Sequence, residues 1–306
     1  MAPLKIIEQF IPVVCALVCA PLLNGIINRV KALVAGRQGQ PLLQSYFDII
    51  KQMRRGAVFS RSVSGWFGLG PVIGFAAILT ALCIIPLGII AAPISFRGDI
   101  LLFCGVLALA RFAYIIAALD TASAFEGMGA SREAWLGALS EPVLLLCFLS
   151  LAHQSQSLFS GEIFGVSTGY PFLLELFCAL ALFVLLLVEN ARMPVDDPNT
   201  HLELTMIHEV MVLDHSGPDL GIITYGAALK LWLFATIIVQ IVKPWHPQNP
   251  MMNIALIIGG NFLIAIIIGA VESFMARLRL VRIPQLIALA LALALAGLLV
   301  GSGWIL

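Results

Sequence analysis

The segment of this sequence that is richest in titratable side chains is Asp196–Gly217, which reads DDPNTHLELTMIHEVMVLDHSG. It contains five acids and three of the chain's five histidines, although 60% of the chain is hydrophobic. These residues are Asp196, Asp197, Glu203, Glu209, Asp214, His201, His208 and His215. Histidine titrates near neutral pH, and neighbouring charges can shift carboxylates toward that range. The segment is therefore typical of an element that handles protons.

Other chemistry fits this segment less well. The residues HEVMV resemble the start of an H-E-x-x-H zinc motif, but Val212 stands where the second histidine would be. Thr200 and Glu203 have capping-box spacing, which predicts a short helix. If that helix continued, the three histidines would share roughly one face, yet seven-residue spacing is too wide to chelate one ion. No cysteine or serine is placed as a nucleophile, and a solvated acidic loop is the plain alternative.

The composition indicates an all-α integral membrane protein. Charged residues make up 11% of the chain, against about 25% in soluble domains. Eight apolar runs are long enough to cross a bilayer as helices. They cover approximately 4–30, 69–92, 99–119, 134–155, 170–190, 222–243, 252–275 and 283–305. The first run lacks a cleavage site and precedes a basic segment, so we interpret it as a retained helix.

The basic residues predict the orientation of these helices. Twelve of the 17 Lys and Arg residues fall on one side: Arg29, Lys31, Arg37, Lys51, Arg54, Arg55, Arg61, Arg132, Arg192, Arg277, Arg279 and Arg282. The other side has Lys5, Arg97 and Lys243. The positive-inside rule therefore predicts that both termini lie outside and that the odd-numbered connections are cytoplasmic.

The sequence is interpreted as a single integral membrane domain over 1–306, because no linker separates two parts. Residues 41–55 repeat apolar side chains at helical spacing and are too polar to span, so we expect an amphipathic helix at the cytoplasmic surface. This helix would be either a lipid-facing anchor or a docking surface for a soluble partner. Residues 189–221 form an acidic cytoplasmic connection between the fifth and sixth spans.

Several charged side chains fall inside the predicted spans, where charge is costly and usually faces a partner or a water-filled path. Arg111, Glu141, Glu189 and Lys230 come from four different spans at compatible depths. Together they predict a chain of acids and bases that serves as a proton relay. The same residue types also occur as snorkelling or structurally paired charges, which is the preferred interpretation for Asp120, Glu175 and Glu272.

The composition also bears on cofactors and partners. The formal net charge is zero, so no nucleic-acid partner is expected. The six cysteines all lie in apolar runs without a C-x-x-C pair, which favours small buried side chains over metal or cluster ligands. We therefore expect no cofactor on this chain, and any redox centre in its complex would belong to another polypeptide.

Four segments resemble subunit 1 of respiratory complex I, which is called the H subunit in bacteria. ENARMPVDDP, which is Glu189–Pro198, is similar to that protein's Glu-x-x-Arg-x-Pro-x-Asp-x-Pro signature. LDHSG at 213–217, GRQGQPLLQSYFDIIK at 36–51 and GASREAWLGALSEP at 129–142 resemble three further segments. The resemblance covers nearly the whole chain, including its eight spans and their orientation.

Departures from the respiratory pattern point to one branch of that family. Val195 replaces a phenylalanine, His201 replaces an acid, and about one extra helical turn precedes Ser216. This form most resembles the homologous subunit of membrane-bound [NiFe] hydrogenases of the hydrogenase-4, formate hydrogenlyase and energy-converting types. Most of those complexes work without a quinone, which argues against a quinone site here.

The resemblance implies a subunit that is not catalytic alone and that lies in the inner membrane of a prokaryote. It would anchor a large subunit with a NiFe centre and a small subunit with iron–sulfur clusters at the cytoplasmic face, beside antiporter-like membrane subunits. Glu141, Glu189, Asp196 and Glu203 match acids of the family's coupling region, and Arg192 matches its motif arginine. Position in this chain adds Arg111, Lys230, His201, His208, Glu209, Asp214 and His215.

The expected function is therefore to couple redox chemistry in the peripheral arm to proton or sodium translocation. A second hypothesis is the quinone-chamber subunit of an NADH:quinone oxidoreductase. A third is a free-standing secondary transporter, although the two halves show no matching pair of broken helices of the kind many transporters contain.

Overall fold

The computed structural model describes residues 2–165, 171–196, 207–243 and 249–302. Ten α-helices lie in these ranges: α1 Ala2–Val34, α2 Gln44–Met53, α3 Gly65–Ile84, α4 Asp99–Asp120, α5 Ala124–Ser155, α6 Ser160–Ile163, α7 Phe172–Glu189, α8 Gly217–Val242, α9 Pro250–Phe274 and α10 Ile283–Gly301. Two 3-10 helices cover Glu209–Val212 and Leu280–Arg282. Within the described ranges, β structure is limited to one bridge between Leu87 and Ile90.

Eight helices are long and apolar enough to cross a membrane, which confirms the predicted all-α architecture with eight spans. They are α1, α3, α4, α5, α7, α8, α9 and α10, so the chain is a multi-pass membrane protein. The amphipathic segment predicted at 41–55 is also helical, as α2.

Two span boundaries were predicted wrongly. The second span, α3, ends at Ile84 rather than near residue 92, because Pro86 follows and Gly88 turns the chain with a φ of +63°. The fourth span begins at Ala124 rather than near residue 134. Its first turns carry Glu126 and Glu133, which are buried against the rest of the protein. These two charged residues therefore lie inside the helix and do not mark where it begins.

Helix α8 lies at the centre of the bundle and packs against α1, α2, α3, α7 and α9. Trp232 and Phe234 on this helix are fully buried. Thr236 Oγ1 accepts a hydrogen bond of 2.9 Å from Asn261 Nδ2 on α9. Burial on nearly every side explains why the apolar residues of α8 form an almost continuous run instead of a stripe.

One end of the bundle is called the basic end here: α1, α4, α7 and α9 finish there, and α3, α5, α8 and α10 begin there. At this end α2 lies against α1 and α8. Gly25 makes the close approach possible, since a Cβ at this position would collide with the Leu42 carbonyl oxygen. The Tyr46 hydroxyl donates to the Val18 carbonyl and fixes the first turn of α2 on α1.

Candidate functional site

Arg111 on α4 is the centre of a buried group of charged side chains. Its Nε donates to Glu133 Oε1 at 3.2 Å, and its two terminal nitrogens donate to Glu141 on α5 and to Glu189 at the end of α7. One of them also donates to Ser140 Oγ at 3.4 Å. A guanidinium carries five N–H donors in a planar fork, so a single arginine can serve several carboxylates.

Two further cationic or titratable groups extend this arrangement. Lys230 Nζ on α8 donates to Glu189 Oε2 at 2.7 Å. His208 Nε2 lies 3.1 Å from Glu133 Oε2, on the far side of that carboxylate from Arg111. We call Arg111, Glu133, Glu141, Glu189, Lys230 and His208 the Arg111 cluster. It joins α4, α5, α7, α8 and the connection before α8.

Small residues make room for the cluster. Gly137 faces Arg111, and a Cβ there would lie 2.6 Å from Arg111 Nη1. Ser140, one turn later on α5, donates from Oγ to Glu189 Oε1 at 2.7 Å. Helix α5 therefore provides three features around the Arg111 guanidinium: space at Gly137, the hydroxyl of Ser140 and the carboxylate of Glu141.

The charges of the Arg111 cluster are unevenly matched. Three carboxylates face one arginine and one lysine, and a proton on His208 would bring the formal charge of the cluster to zero. Arg111, Glu133 and Glu189 are buried, but the Glu141 side chain is 43% exposed on the side of the bundle. Unbalanced charge in a membrane interior is costly, so it is expected to respond to protonation or to a neighbouring charge.

A cavity of about 710 Å³ lies between the Arg111 cluster and the basic end. Arg111, Glu133, Glu189, Lys230 and His208 line its inner part, and α1, α2 and the start of α8 complete its walls. Several polar atoms on its walls have no hydrogen-bond partner in the described part of the chain: Gln52 Oε1, the Tyr114 hydroxyl, Asn190 Oδ1 and His215 Nδ1. Buried polar atoms beside open space are suited to bind water.

A second cavity of about 230 Å³ lies on the other side of the cluster. Arg111 and Glu189 line both cavities, and Glu141 lines the second one. The remaining walls of the second cavity are mainly apolar and come from α4, α5, α7 and α8. The Arg111 cluster therefore separates a large polar cavity from a smaller one beside the exposed Glu141.

Arg192 and Asp196, two charged residues of the ENARMPVDDP segment, do not contact the Arg111 cluster. Arg192 donates to Asn24 on α1 and lies 3.5 Å from Glu272 on α9, whose other oxygen is 2.8 Å from Lys31. Arg192 still lines the large cavity.

Asp196 joins two connections at the basic end instead. Its carboxylate accepts from Arg277 Nη2 at 2.8 Å and from the Ile207 N–H at 2.9 Å. Among the predicted acids that the structure describes, Glu141 and Glu189 therefore lie in the buried cluster, and Asp196 forms an ion pair between two connections.

The remaining predicted residues differ in their surroundings. His215 is buried, stacks on Phe67 with ring centroids 3.9 Å apart, and lines the large cavity. Burial lowers the pKa of His215 to about 4, so this histidine is neutral at physiological pH. Glu209 also lines the cavity. The Asp214 side chain is exposed, and its backbone N–H donates to Glu126.

The continuous helix that would bring the histidines to one face is not observed. The 3-10 helix Glu209–Val212 begins after His208 and ends before His215. His208 and His215 nevertheless reach the same cavity, from opposite ends of this short turn. His201, Glu203, Asp197 and the predicted cap at Thr200 lie outside the described residues.

Glu133 was missed by sequence reasoning because its segment was assigned to a connection. Once α5 is known to begin at Ala124, a signal is visible: Glu126, Glu133 and Ser140 are seven residues apart and share one helix face. That face is buried and carries the contacts to Asp214, Arg111 and Glu189.

Comparison with known proteins agrees with this architecture. The family model described as NADH dehydrogenase matches residues 7–302. The chain is 33% identical to formate hydrogenlyase subunit 4 of Escherichia coli (strain K12) over 292 residues, which cover 90% of this chain and 92% of the relative. It is 32% identical to hydrogenase-4 component C of the same organism over 238 residues, or 76% of this chain and 73% of the relative.

One more distant relative and one solved structure agree with these matches. The H subunit of NADH-quinone oxidoreductase from Acidovorax sp. (strain JS42) is 26% identical over 220 residues, which cover 67% of this chain and 61% of the relative. The fold matches a chain in the structure of the membrane-bound sulfane sulfur reductase, an archaeal respiratory membrane complex, with a TM-score of 0.80 and 18% identity. That match covers 97% of this chain and 99% of the other. The chain therefore belongs to the NADH dehydrogenase family, among the complex I subunit 1-like membrane proteins.

Proposed function

We propose that this chain is the membrane-anchor and proton-coupling subunit of a membrane-bound [NiFe]-hydrogenase-type complex. It would link redox chemistry in a peripheral arm to proton or sodium translocation. The similarity to formate hydrogenlyase subunit 4 and hydrogenase-4 component C supports this branch of the family over the respiratory one, because identity to the respiratory relative is lower and covers less of the chain.

The observation that carries the proposal is the position of the Arg111 cluster between two cavities. The large cavity opens toward the connections at the basic end, where a peripheral subunit would dock. The small cavity reaches Glu141, a carboxylate that is half-exposed within a membrane span. Exposed charge at this level is unfavourable against lipid, so a neighbouring membrane subunit or a water path is expected beside it.

The mechanism follows from competition for Arg111. Glu133, Glu141 and Glu189 all pair with this one guanidinium. A proton taken up at His208 would strengthen the His208–Glu133 pair and weaken the hold of Glu133 on Arg111. Arg111 would then move toward Glu141 and Glu189. The two positions differ in interaction energy with these carboxylates, which is the condition for a local charge change to be transmitted.

The proposal assigns cofactors and partners to other chains. A large subunit with a NiFe centre and a small subunit with iron–sulfur clusters would cover the basic end, which the positive-inside rule assigns to the cytoplasm with both termini outside. Antiporter-like membrane subunits would lie beside Glu141. The complex would belong to a prokaryotic inner membrane. We place no cofactor on this chain.

A second candidate is the quinone-chamber subunit of an NADH:quinone oxidoreductase. The 710 Å³ cavity between α1, α2 and α8 favours it, because its size is that of a small-molecule site and one end is polar. Quinone-site inhibitors that block electron transfer in the purified complex would support this candidate and contradict the hydrogenase-type assignment.

Glu141→Gln in the assembled complex tests the proposal, with Glu175→Gln on α7 as the matched control. Glu141 is half-exposed, so the variant should fold and assemble. We expect ions moved per electron to fall about tenfold while electron transfer continues, and the control to behave as wild type. If Glu141→Gln pumps at the wild-type ratio, the cluster is not the coupling element. Purification of the chain as a stable, transport-active single protein would instead support a secondary transporter.

A further inference from the structure

A cleft of about 530 Å³ lies at the basic end, between the last turns of α1 and α9. Lys31, Val34 and Arg37 line it from α1 and the loop that follows, and Ser273 lines it from α9. None of the described residues that line it belongs to the Arg111 cluster, and Asn28 lines both this cleft and the large cavity. Nothing in the proposed coupling mechanism uses this cleft.

The sequence GRQGQ at 36–40 builds one wall of the cleft by ending α1 abruptly. Gly36 adopts a left-handed conformation with a φ of +65°. Its N–H donates to the Leu33 carbonyl at 3.1 Å, and the Arg37 N–H donates to the Ala32 carbonyl at 2.8 Å. These two bonds form a Schellman motif, which fixes the direction of the chain after a helix. Arg37 is therefore held at the mouth of the cleft.

The same loop then folds back onto α1. Gly39 packs so closely on Ala32 that a Cβ at residue 39 would lie 2.6 Å from the Ala32 Cβ. The Gly39 carbonyl accepts a bond of 3.5 Å from Arg29 Nη1. The wall is thus held at both ends by specific contacts.

The cleft carries excess positive charge. Lys31 and Arg37 line it, and no carboxylate among the described residues does. Lys31 lies 2.8 Å from Glu272, which also lies 3.5 Å from Arg192. Two cations therefore share one carboxylate, and Arg37 adds a further positive charge. An anionic ligand would reduce this excess of positive charge.

Exposed apolar side chains lie at or next to Val34 and Ser273 in the sequence, two residues that line the cleft. Leu33 and Phe274 are 66% and 80% exposed, and Val34 and Met275 are also exposed. Both membrane-spanning segments end at this level, at Val34 and Phe274. A polar, cationic cleft next to apolar side chains at a span end matches the boundary between lipid headgroups and acyl chains.

We propose that this cleft binds the phosphate headgroup of an anionic glycerophospholipid, with the acyl chains along Leu33 and Phe274. Arg37 and Lys31 would neutralise the phosphate, and Ser273, whose hydroxyl donates to the Gly269 carbonyl at 2.7 Å, lines the opposite wall. The apolar border favours a lipid over an acidic protein surface, since a docked soluble protein would bury a polar rim instead.

The test uses the full chain in its detergent-solubilised complex and compares phosphatidylglycerol, phosphatidylcholine and inorganic phosphate as added ligands. Arg37→Gln is the variant, and Arg61→Gln is the control, an exposed arginine outside the cleft. We expect selective binding of phosphatidylglycerol. Arg37→Gln should raise the Kd for phosphatidylglycerol about fivefold, equivalent to about 1 kcal/mol for one surface charge. Arg61→Gln should leave this Kd within about twofold of the wild-type value.

Four results would overturn the proposal. Equal binding of phosphatidylglycerol and phosphatidylcholine would show that the cleft does not select for charge. Equal effects of Arg37→Gln and Arg61→Gln would show that the lipid does not bind in the cleft. Displacement of phosphatidylglycerol by inorganic phosphate at equal concentration would indicate a free-anion site. Unchanged lipid binding with weaker retention of soluble subunits in Arg37→Gln would identify the cleft as a protein-docking surface.

Discussion

Glu189 Oε2 and Lys230 Nζ lie 2.7 Å apart in the interior of the bundle, although Glu189 ends one membrane-spanning helix and Lys230 lies within the next. The other Glu189 oxygen accepts from Arg111 and Ser140. One carboxylate therefore joins α4, α5, α7 and α8. A single charge at mid-membrane costs about 2.5–3.5 kcal/mol by insertion scales, so these residues are stable only as a group.

Arg111→Met should destabilise the protein strongly. The change leaves Glu133, Glu141 and Glu189 without their shared cation, and breaking a buried ion pair on one side costs about 3–5 kcal/mol. The measurement is the unfolding midpoint of the full chain in detergent. Arg61→Met, at an exposed position, is the control and should change stability by less than about 0.5 kcal/mol. Equal midpoints for the two variants would show that the cluster does not stabilise the fold.

Gly25→Ala should displace α2 from α1. The added Cβ would collide with the Leu42 carbonyl oxygen, and backbone cannot move aside cheaply. We expect a loss of about 1–3 kcal/mol in the free energy of unfolding. Gly68→Ala on α3 is the matched control, since no heavy atom lies within 4 Å of its Cβ, and it should be neutral or stabilising by up to about 1 kcal/mol. A neutral Gly25→Ala would mean that α2 is not packed against α1 here.

His215 should make the protein acid-sensitive over a defined range. Its pKa is about 4 when folded against 6.5 as the ordinary value, because burial disfavours the imidazolium. The unfolded chain therefore binds more protons between these values, and stability should decrease as pH falls from about 6.5 toward 4 and stay level above 6.5.

The unfolding midpoint measured across this pH range tests the assignment. His215→Gln should remove the part of the change in unfolding midpoint with pH that is due to His215. His153→Gln, at an exposed histidine, should leave that change as in the wild type. An unchanged slope in His215→Gln would assign the acid sensitivity to other groups.

The sequence was sufficient to predict the eight spans, because apolar length alone decides which segments can cross a membrane. It also singled out Arg111, Glu141, Glu189 and Lys230, since charge in such segments is rare, and the structure brings all four into contact. Which residues pair across helices depends on the rotation of each helix. The length of an apolar run in the sequence does not contain this information.

Glu133 and Asp196 illustrate this limit. Glu133 was overlooked because polar neighbours hid the first turns of α5, yet it contacts both Arg111 and His208. The motif groups Asp196 with the coupling acids, and its carboxylate accepts from Arg277 and from the Ile207 N–H; its coupling role stays a prediction. The position of Glu133 depends on where α5 begins, whereas the contacts of Asp196 depend on how an irregular connection folds, which follows no period that a sequence pattern can reveal.

The most direct test of the central claim is the number of ions moved per electron in the assembled complex carrying Glu189→Gln. Glu175→Gln, on the same helix but outside the Arg111 cluster, is the control, and co-purification of all subunits verifies assembly. Removing the charge of Glu189 frees Arg111 and Lys230 from their shared partner. Coupling through the Arg111 cluster predicts a drop of at least about tenfold in ions per electron, with electron transfer within about twofold of wild type. A fully assembled Glu189→Gln complex that pumps at the wild-type ratio would contradict it.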